Sequence, residues 1–182
     1  LKTIRLGPDD VFHRYLTPKW AFLPLSGAGA AIGGGRFNRP GSEALYLSRA
    51  PQTALDEYRQ GSTITPPATL AAYFVTLDRV ADLSAGYDPA IWSAPWREWN
   101  CNWRKISRID KKAPPSWLIS DELIKDGFGG LLFPSLRHAG GTNLVIFTAN
   151  LTAADALKVH DPDRLLPSDQ SSWRNDWKRT QT

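Results

Sequence analysis

Cysteine occurs once in these 182 residues, at Cys101, so no disulfide can form within the chain and a thiolate zinc site lacks ligands. That usage fits a reducing compartment. Histidine is almost as scarce: His13, His138 and His160 stand far apart, with no His-x-x-x-His pair, which disfavours metal catalysis. No apolar run approaches the roughly 20 residues that a membrane helix needs. The start, Leu1-Lys2-Thr3-Ile4-Arg5, lacks the charged opening and long apolar centre of a secretion signal. The expectation is a cytoplasmic protein. Internal repeats and low-complexity tracts are also missing.

Several catalytic and nucleotide-binding motifs are absent too. There is no Gly-x-Ser-x-Gly elbow of a serine hydrolase. Ser135 and His138 lie close in sequence, but closeness on a loop does not make a nucleophile–base pair. Gly27-Ala28-Gly29-Ala30-Ala31-Ile32 approaches the dinucleotide fingerprint, yet Ile32 stands at the third glycine position. No Gly-Lys-Ser/Thr follows a glycine loop, so the phosphate loop of nucleoside triphosphatases is excluded as well.

What is present is an ordinary globular balance, 42% hydrophobic and 22% charged. The length suits one domain. The net charge of +4 is concentrated. Between Arg97 and Lys112, Arg97, Arg104, Lys105, Arg108, Lys111 and Lys112 face only Glu98 and Asp110. Such a segment is either a solvated face or a surface for an acidic partner, a phosphate or nucleic acid.

Alternation predicts a strand over Val11–Leu16, with Phe12, Arg14 and Leu16 on one face. A Gly/Ala-rich loop, Ala21–Gly35, follows and reads as close backbone approach or a mobile flap. A short strand covers Leu45–Ser48. Pro51 starts a helix that ends before Gly61. On it Glu57 lies about 60° from Ala54, at the edge of the buried stripe, whereas Asp56 points away. Two strands are expected at Leu70–Leu77 and Val80–Leu83. Trp92, Trp96, Trp99 and Trp103 fall on one helical face, which Pro95 can start, and which reads as core or interface. Ser116 caps a helix over Trp117–Lys125, with Gly127 beyond it. Leu131–Phe133 and Asn143–Ala149 are further strands. Trp173 and Trp177, spaced i, i+4, are expected to dock a last helical turn. The class is α+β, with a short-stranded β core and two or three flanking helices.

One stretch carries the most chemistry. Gly33-Gly34-Gly35 leads directly into Arg36-Phe37-Asn38, then a turn, Asn38-Arg39-Pro40-Gly41, and the strand with Tyr46. The next helix brings Glu57. A cation, an aromatic ring and a carboxylate on consecutive elements suit a ligand with a diphosphate, a planar cationic leaving group and a ribose. Nicotinamide adenine dinucleotide (NAD) has all three.

The run Gly34-Gly35-Arg36-Phe37-Asn38, then Ala44-Leu45-Tyr46-Leu47-Ser48, then Thr53-Ala54-Leu55-Asp56-Glu57, resembles the RES domain family. Phe133-Pro134-Ser135 with Asn143 downstream is similar to its C-terminal signature. The resemblance spans about residues 11–149 of a single domain, 1–182, and leaves 150–182 as a C-terminal extension. It implies a fold like that of ADP-ribosyltransferase toxins. It implies the toxin half of a bacterial toxin–antitoxin pair, partnered with an Xre-type helix-turn-helix antitoxin. The implied substrate is NAD, which is either degraded or used to transfer ADP-ribose to a protein acceptor. Arg14, Arg36, Tyr46, Glu57 and Ser135 match family positions, and Phe37 stands where many members have tryptophan.

These residue types suit the implied reaction. Nicotinamide leaves as a neutral ring while positive charge builds on the ribose, so a carboxylate aimed there, Glu57, stabilises the transition state. Arg14 and Arg36 can fork onto diphosphate oxygens. Tyr46 can stack on nicotinamide. Ser135 can donate to the ribose or support Glu57, and Asn143 completes the dinucleotide-binding set. The chemistry requires no metal. The alternative is a basic nucleic-acid-binding or protein-interaction module without catalysis, built on the Trp-rich segment from Trp92 to Lys112.

Overall fold

Residues 1–171 are described by the computed structural model. Its centre is one long strand that serves four neighbours. β1 (Thr3–Leu6), β2 (Val11–Leu16), β3 (Ala44–Ser48), β4 (Thr69–Asp82), β5 (Gly130–Pro134), β6 (Thr142–Phe147) and β7 (Ala156–Val159) form a single, mainly antiparallel sheet. Helices α1 (Ala28–Gly33), α2 (Pro51–Arg59), α3 (Trp103–Arg108) and α4 (Pro115–Lys125) complete a mixed α/β fold. β4 pairs antiparallel with β1, β2 and β7, and its end runs parallel to β5, Val80 opposite Gly130. The path β4-β2-β3-β6-β5 therefore returns to β4 and closes a ring. Its weakest seam lies between β2 and β3, which share one register pair, His13–Ser48.

Buried strands alternate between two cores. Leu45, Leu47, Leu144 and Ile146 join Phe12, Leu16, Tyr73 and Val75 in the first. Ala44, Val145, Phe147, Leu131 and Phe133 join Phe37, Ile119, Leu123 and three tryptophans in the second. Apolar packing on both faces explains why β5 and β6 read as continuous apolar runs rather than alternating ones.

Four expectations need correcting. Four α-helices are present among the described residues, not two or three. The core is not uniformly short-stranded: β4 is one strand of 14 residues rather than two. The exposed pair Asp78-Arg79 reads as a turn in sequence, but it sits on a strand whose other positions are mostly buried. The Gly/Ala-rich stretch is not all loop, because α1 forms inside it. The tryptophan segment is not one helix. A tight helical turn at Ala94–Glu98 ends, and Asn102 then caps α3 by accepting from the Lys105 amide at 3.2 Å. Trp92, Trp96 and Trp99 still bury together, with the first two ring centres 4.3 Å apart. The expected turn at Trp173 and Trp177 lies outside the described residues.

α2 forms where expected. Pro51 occupies its first turn, and Gln60 and Gly61 end it with positive φ of 54° and 87°. The helix packs over β2 and β3, and Tyr58 stacks on Tyr15 at 5.6 Å. That placement sets Glu57 over the β2–β3 seam.

Candidate functional site

A cleft of about 610 Å³ opens at that seam, lined by β2, β3, α2, α3 and the loops around them. At its base, polar residues at the ends of three elements interlock. Asn143 opens β6 opposite both Ser48 and Phe133. The buried Ser48 hydroxyl donates to Asn143 Oδ1 at 2.7 Å, and Asn143 Nδ2 donates to Glu57 Oε1 at 2.7 Å. A carboxylate cannot donate, so this contact fixes which way the amide faces.

Ser135 completes the set. Its hydroxyl donates to Glu57 Oε1 at 2.7 Å and accepts from the amides of Arg137 and His138 at 3.1 and 3.0 Å. A hydroxyl has one proton, and this one is engaged by Glu57. Of the two roles expected for Ser135, support of Glu57 is therefore the one the geometry shows. Glu57 Oε2 has no protein donor among the described residues. The carboxylate is thus clamped by one oxygen and open at the other.

The Gly-Arg loop is built with equal care. Tyr46 Oη donates to Asn38 Oδ1 and accepts from the Phe37 amide, both at 2.9 Å. Burial pushes the Tyr46 phenol well above its usual range, against the Phe37 bond and the Arg36 charge. Trp117 Nε1 holds the Gly35 carbonyl at 2.8 Å. A Cβ on Gly35 would lie 2.5 Å from Asn38 Oδ1 and from the Tyr46 hydroxyl, so no side chain fits there. Asn38, 1% exposed, ties the turn together through the carbonyls of Ala30, Arg39 and Ser42. The glycine run before Arg36 is a pinned loop.

Arg36 itself is half-buried in the cleft wall. Its Nη1 donates to the carbonyls of Trp99 and Cys101 at 3.2 and 2.9 Å. Burial lowers its pKa, opposed by the nearby Cys101, Glu57 and Tyr46. Arg14 lines the cleft from β2 and, among the described residues, reaches only the Ser26 carbonyl, at 3.4 Å, with burial again lowering its pKa. Of the six residues singled out from sequence, Arg14, Arg36, Tyr46, Glu57 and Asn143 line one cleft, whereas Ser135 lies outside the lining and reaches it through its bond to Glu57. Asp56, read as pointing away, pairs with His138 Nδ1 at 2.7 Å outside the lining.

Sequence reading missed two contributors. Ser48 shares the face of Tyr46 at i, i+2, which is the signal that marks it. Trp103, grouped with the core tryptophans, forms part of the cleft wall, between the Arg104 and Arg108 guanidiniums at 4.8 and 5.6 Å from its ring. Among the described residues no cluster of three His, Cys, Asp or Glu is placed to hold a metal ion. No described helix is long and apolar enough to cross a membrane.

A mixed α/β ring with a clamped glutamate under a pinned Gly-Arg loop defines the class of site. The family follows from sequence: a model of the RES domain matches residues 11–169, and the chain belongs to that family. The match runs past residue 149, where the signature region was expected to stop, and takes in β7. No curated protein matches the sequence. Among solved structures the fold is similar to a chain of the M. tuberculosis MbcT–MbcA toxin–antitoxin complex. The TM-score is 0.56 and the identity 20%, over 86% of this chain and 84% of that one.

Proposed function

We propose that this protein is the toxin of a toxin–antitoxin pair and cleaves the nicotinamide–ribose bond of NAD. Glu57, held on one oxygen and open on the other at the base of the cleft, carries the reading. The C1′–N bond breaks with its electron pair passing to the pyridinium nitrogen, so neutral nicotinamide leaves without needing a proton. The free Glu57 oxygen stabilises the oxocarbenium-like ribose. A nucleophile then bonds to C1′ and gives up its proton. Water or phosphate in that role degrades NAD, whereas a side chain receives ADP-ribose.

In this scheme Ser135 and Asn143 position the acid, and Ser48 positions Asn143. Tyr46 holds the Gly-Arg loop through its hydroxyl and lines the cleft beside the bound base. Arg14 and Arg36 supply the deep positive charge against which the dinucleotide settles. The seam between β2 and β3, opened into a ligand cleft, supports kinship with the ADP-ribosyltransferase fold in a single domain. The complex named for the structural neighbour supports an antitoxin partner here, with an Xre-type protein as the family-based choice. The chemistry proposed needs no metal, and an intracellular NAD pool as its substrate is consistent with a cytoplasmic site of action.

Free nicotinamide, measured by chromatography after purified protein meets NAD, tests the reading. Release supports it, and NAD left intact overturns it. Label from adenine-labelled NAD on a protein band marks transfer, while label only in small products marks degradation.

A further inference from the structure

The basic segment was expected to be a solvated face or a docking surface. The fold instead turns part of it into the cleft. α3 delivers Arg104 and Arg108 to the lining, and the loop after β5 delivers Arg137 from another direction. The Arg108 and Arg137 guanidiniums lie beside Gly33 and Gly61, 3.6 and 3.4 Å from where a Cβ would stand, which is ordinary contact distance. Arg104 is aimed by Gln60, whose Oε1 accepts from Nη2 at 2.9 Å, and its guanidinium stacks over Trp103.

What sets these cations apart is that three of them line one cleft, while some others are held by acids. Lys2, Arg39 and Arg49 pair with Asp82, Asp121 and Asp10. Lys105, on α3 but outside the cleft lining, reaches Asp110. Arg104, Arg108 and Arg137 have no carboxylate within ion-pair distance among the described residues, and they crowd one another. Burial, then Arg108 and Arg137, lower the Arg104 pKa, with Glu57 opposing. Three like charges held together beside one distant acid are an unfavourable arrangement until an anion arrives.

We propose that Arg104, Arg108 and Arg137 form the diphosphate-binding wall of the cleft. This inference rests on the dinucleotide reading above and assigns its anionic half to a different set of side chains. Arg14 and Arg36 are partly buried and tied to backbone carbonyls, whereas Arg104, Arg108 and Arg137 are exposed. A diphosphate with two negative charges offers oxygens to more than one of these three. Both the Arg104 and Arg108 guanidiniums lie within cation–π distance of the Trp103 ring.

The test uses ADP, which carries the diphosphate but no nicotinamide, with binding read by calorimetry on the full chain. Wild-type protein is expected to bind ADP with an affinity that falls as salt rises. Arg104→Ala, Arg108→Ala and Arg137→Ala are each expected to weaken it by about tenfold, with circular dichroism melts unchanged. In nicotinamide-release assays the same variants should raise KM for NAD and leave KM for nicotinamide riboside, which lacks the diphosphate, where it was. ADP affinity unchanged in all three variants, or no ADP binding by the wild type, overturns the wall. ADP binding that the variants lose, in a protein that releases no nicotinamide, upholds the wall and overturns the proposed reaction instead.

Discussion

The two walls of the cleft are built in opposite ways. On the acid wall, hydrogen bonds run in series from Ser48 through Asn143 to Glu57, and Ser135 closes the set from two backbone amides. Each partner sits on a strand, a strand end or a helix, so the carboxylate's position is fixed before any ligand binds. On the arginine wall, three exposed guanidiniums share the cleft lining, and among the described residues none is ion-paired to a carboxylate. One wall is finished in the free protein, and the other is completed by what binds. In the proposed reaction, order at the acid wall would serve the transition state, where a dipole or charge already in place need not reorganise. Charge at the mouth would serve capture of the proposed diphosphate, by drawing an anion in.

Substitutions on the acid wall should act on kcat, and those on the arginine wall on KM. The largest effect is expected from Glu57→Gln. Glutamine keeps an oxygen for Ser135 and Asn143 but loses the charge, so nicotinamide release should fall by about 10²–10³-fold with the melting temperature held. Full activity in that variant would remove the acid wall from the mechanism. Ser135→Ala should come next. It removes one bond to a charged group, worth about 1.5–3 kcal/mol, and kcat should fall roughly 10- to 100-fold. Rescue by Ser135→Thr, with KM constant throughout, would separate positioning from substrate contact. Ser48→Ala acts one step further out and breaks a neutral bond worth about 1 kcal/mol, so kcat should drop roughly fivefold. If kcat does not move, the series ends at Asn143. The smallest effect belongs to the other wall. Arg108→Ala relieves like-charge crowding, and its urea midpoint should stay within about 0.5 kcal/mol of wild type in stability. A clear loss of stability there would mean the arginines hold the fold rather than await a ligand.

Much of the acid wall was readable in the chain. Tyr46 falls on a short apolar strand and Glu57 on a helix with clear start and stop signals, and the family resemblance singles out both, together with Ser135 after the Phe-Pro step. The arginine wall was not readable. The i, i+4, i+7, i+11 spacing of the tryptophans suggests one long helix, but Asn102 starts a new one, and only that break lets α3 swing Arg104 and Arg108 into the cleft. β4 misread as two strands for a related reason: local polarity at Asp78-Arg79 was outweighed by pairing along its length. β1 and β7, four residues each and half exposed, carry too little pattern to stand out.

The dependence of every seam on β4 has a consequence for synthesis. Neither β1 nor β2 meets its main neighbour until residues 69–82 have left the ribosome, and the ring closes only with β5 and β6. Glu57 is translated early, but its two hydrogen-bond donors, Ser135 and Asn143, arrive late. A nascent or prematurely terminated chain therefore has an unheld carboxylate and no cleft. The proposed activity requires residues 135–143 to have been made, so that contacts distant in sequence can form.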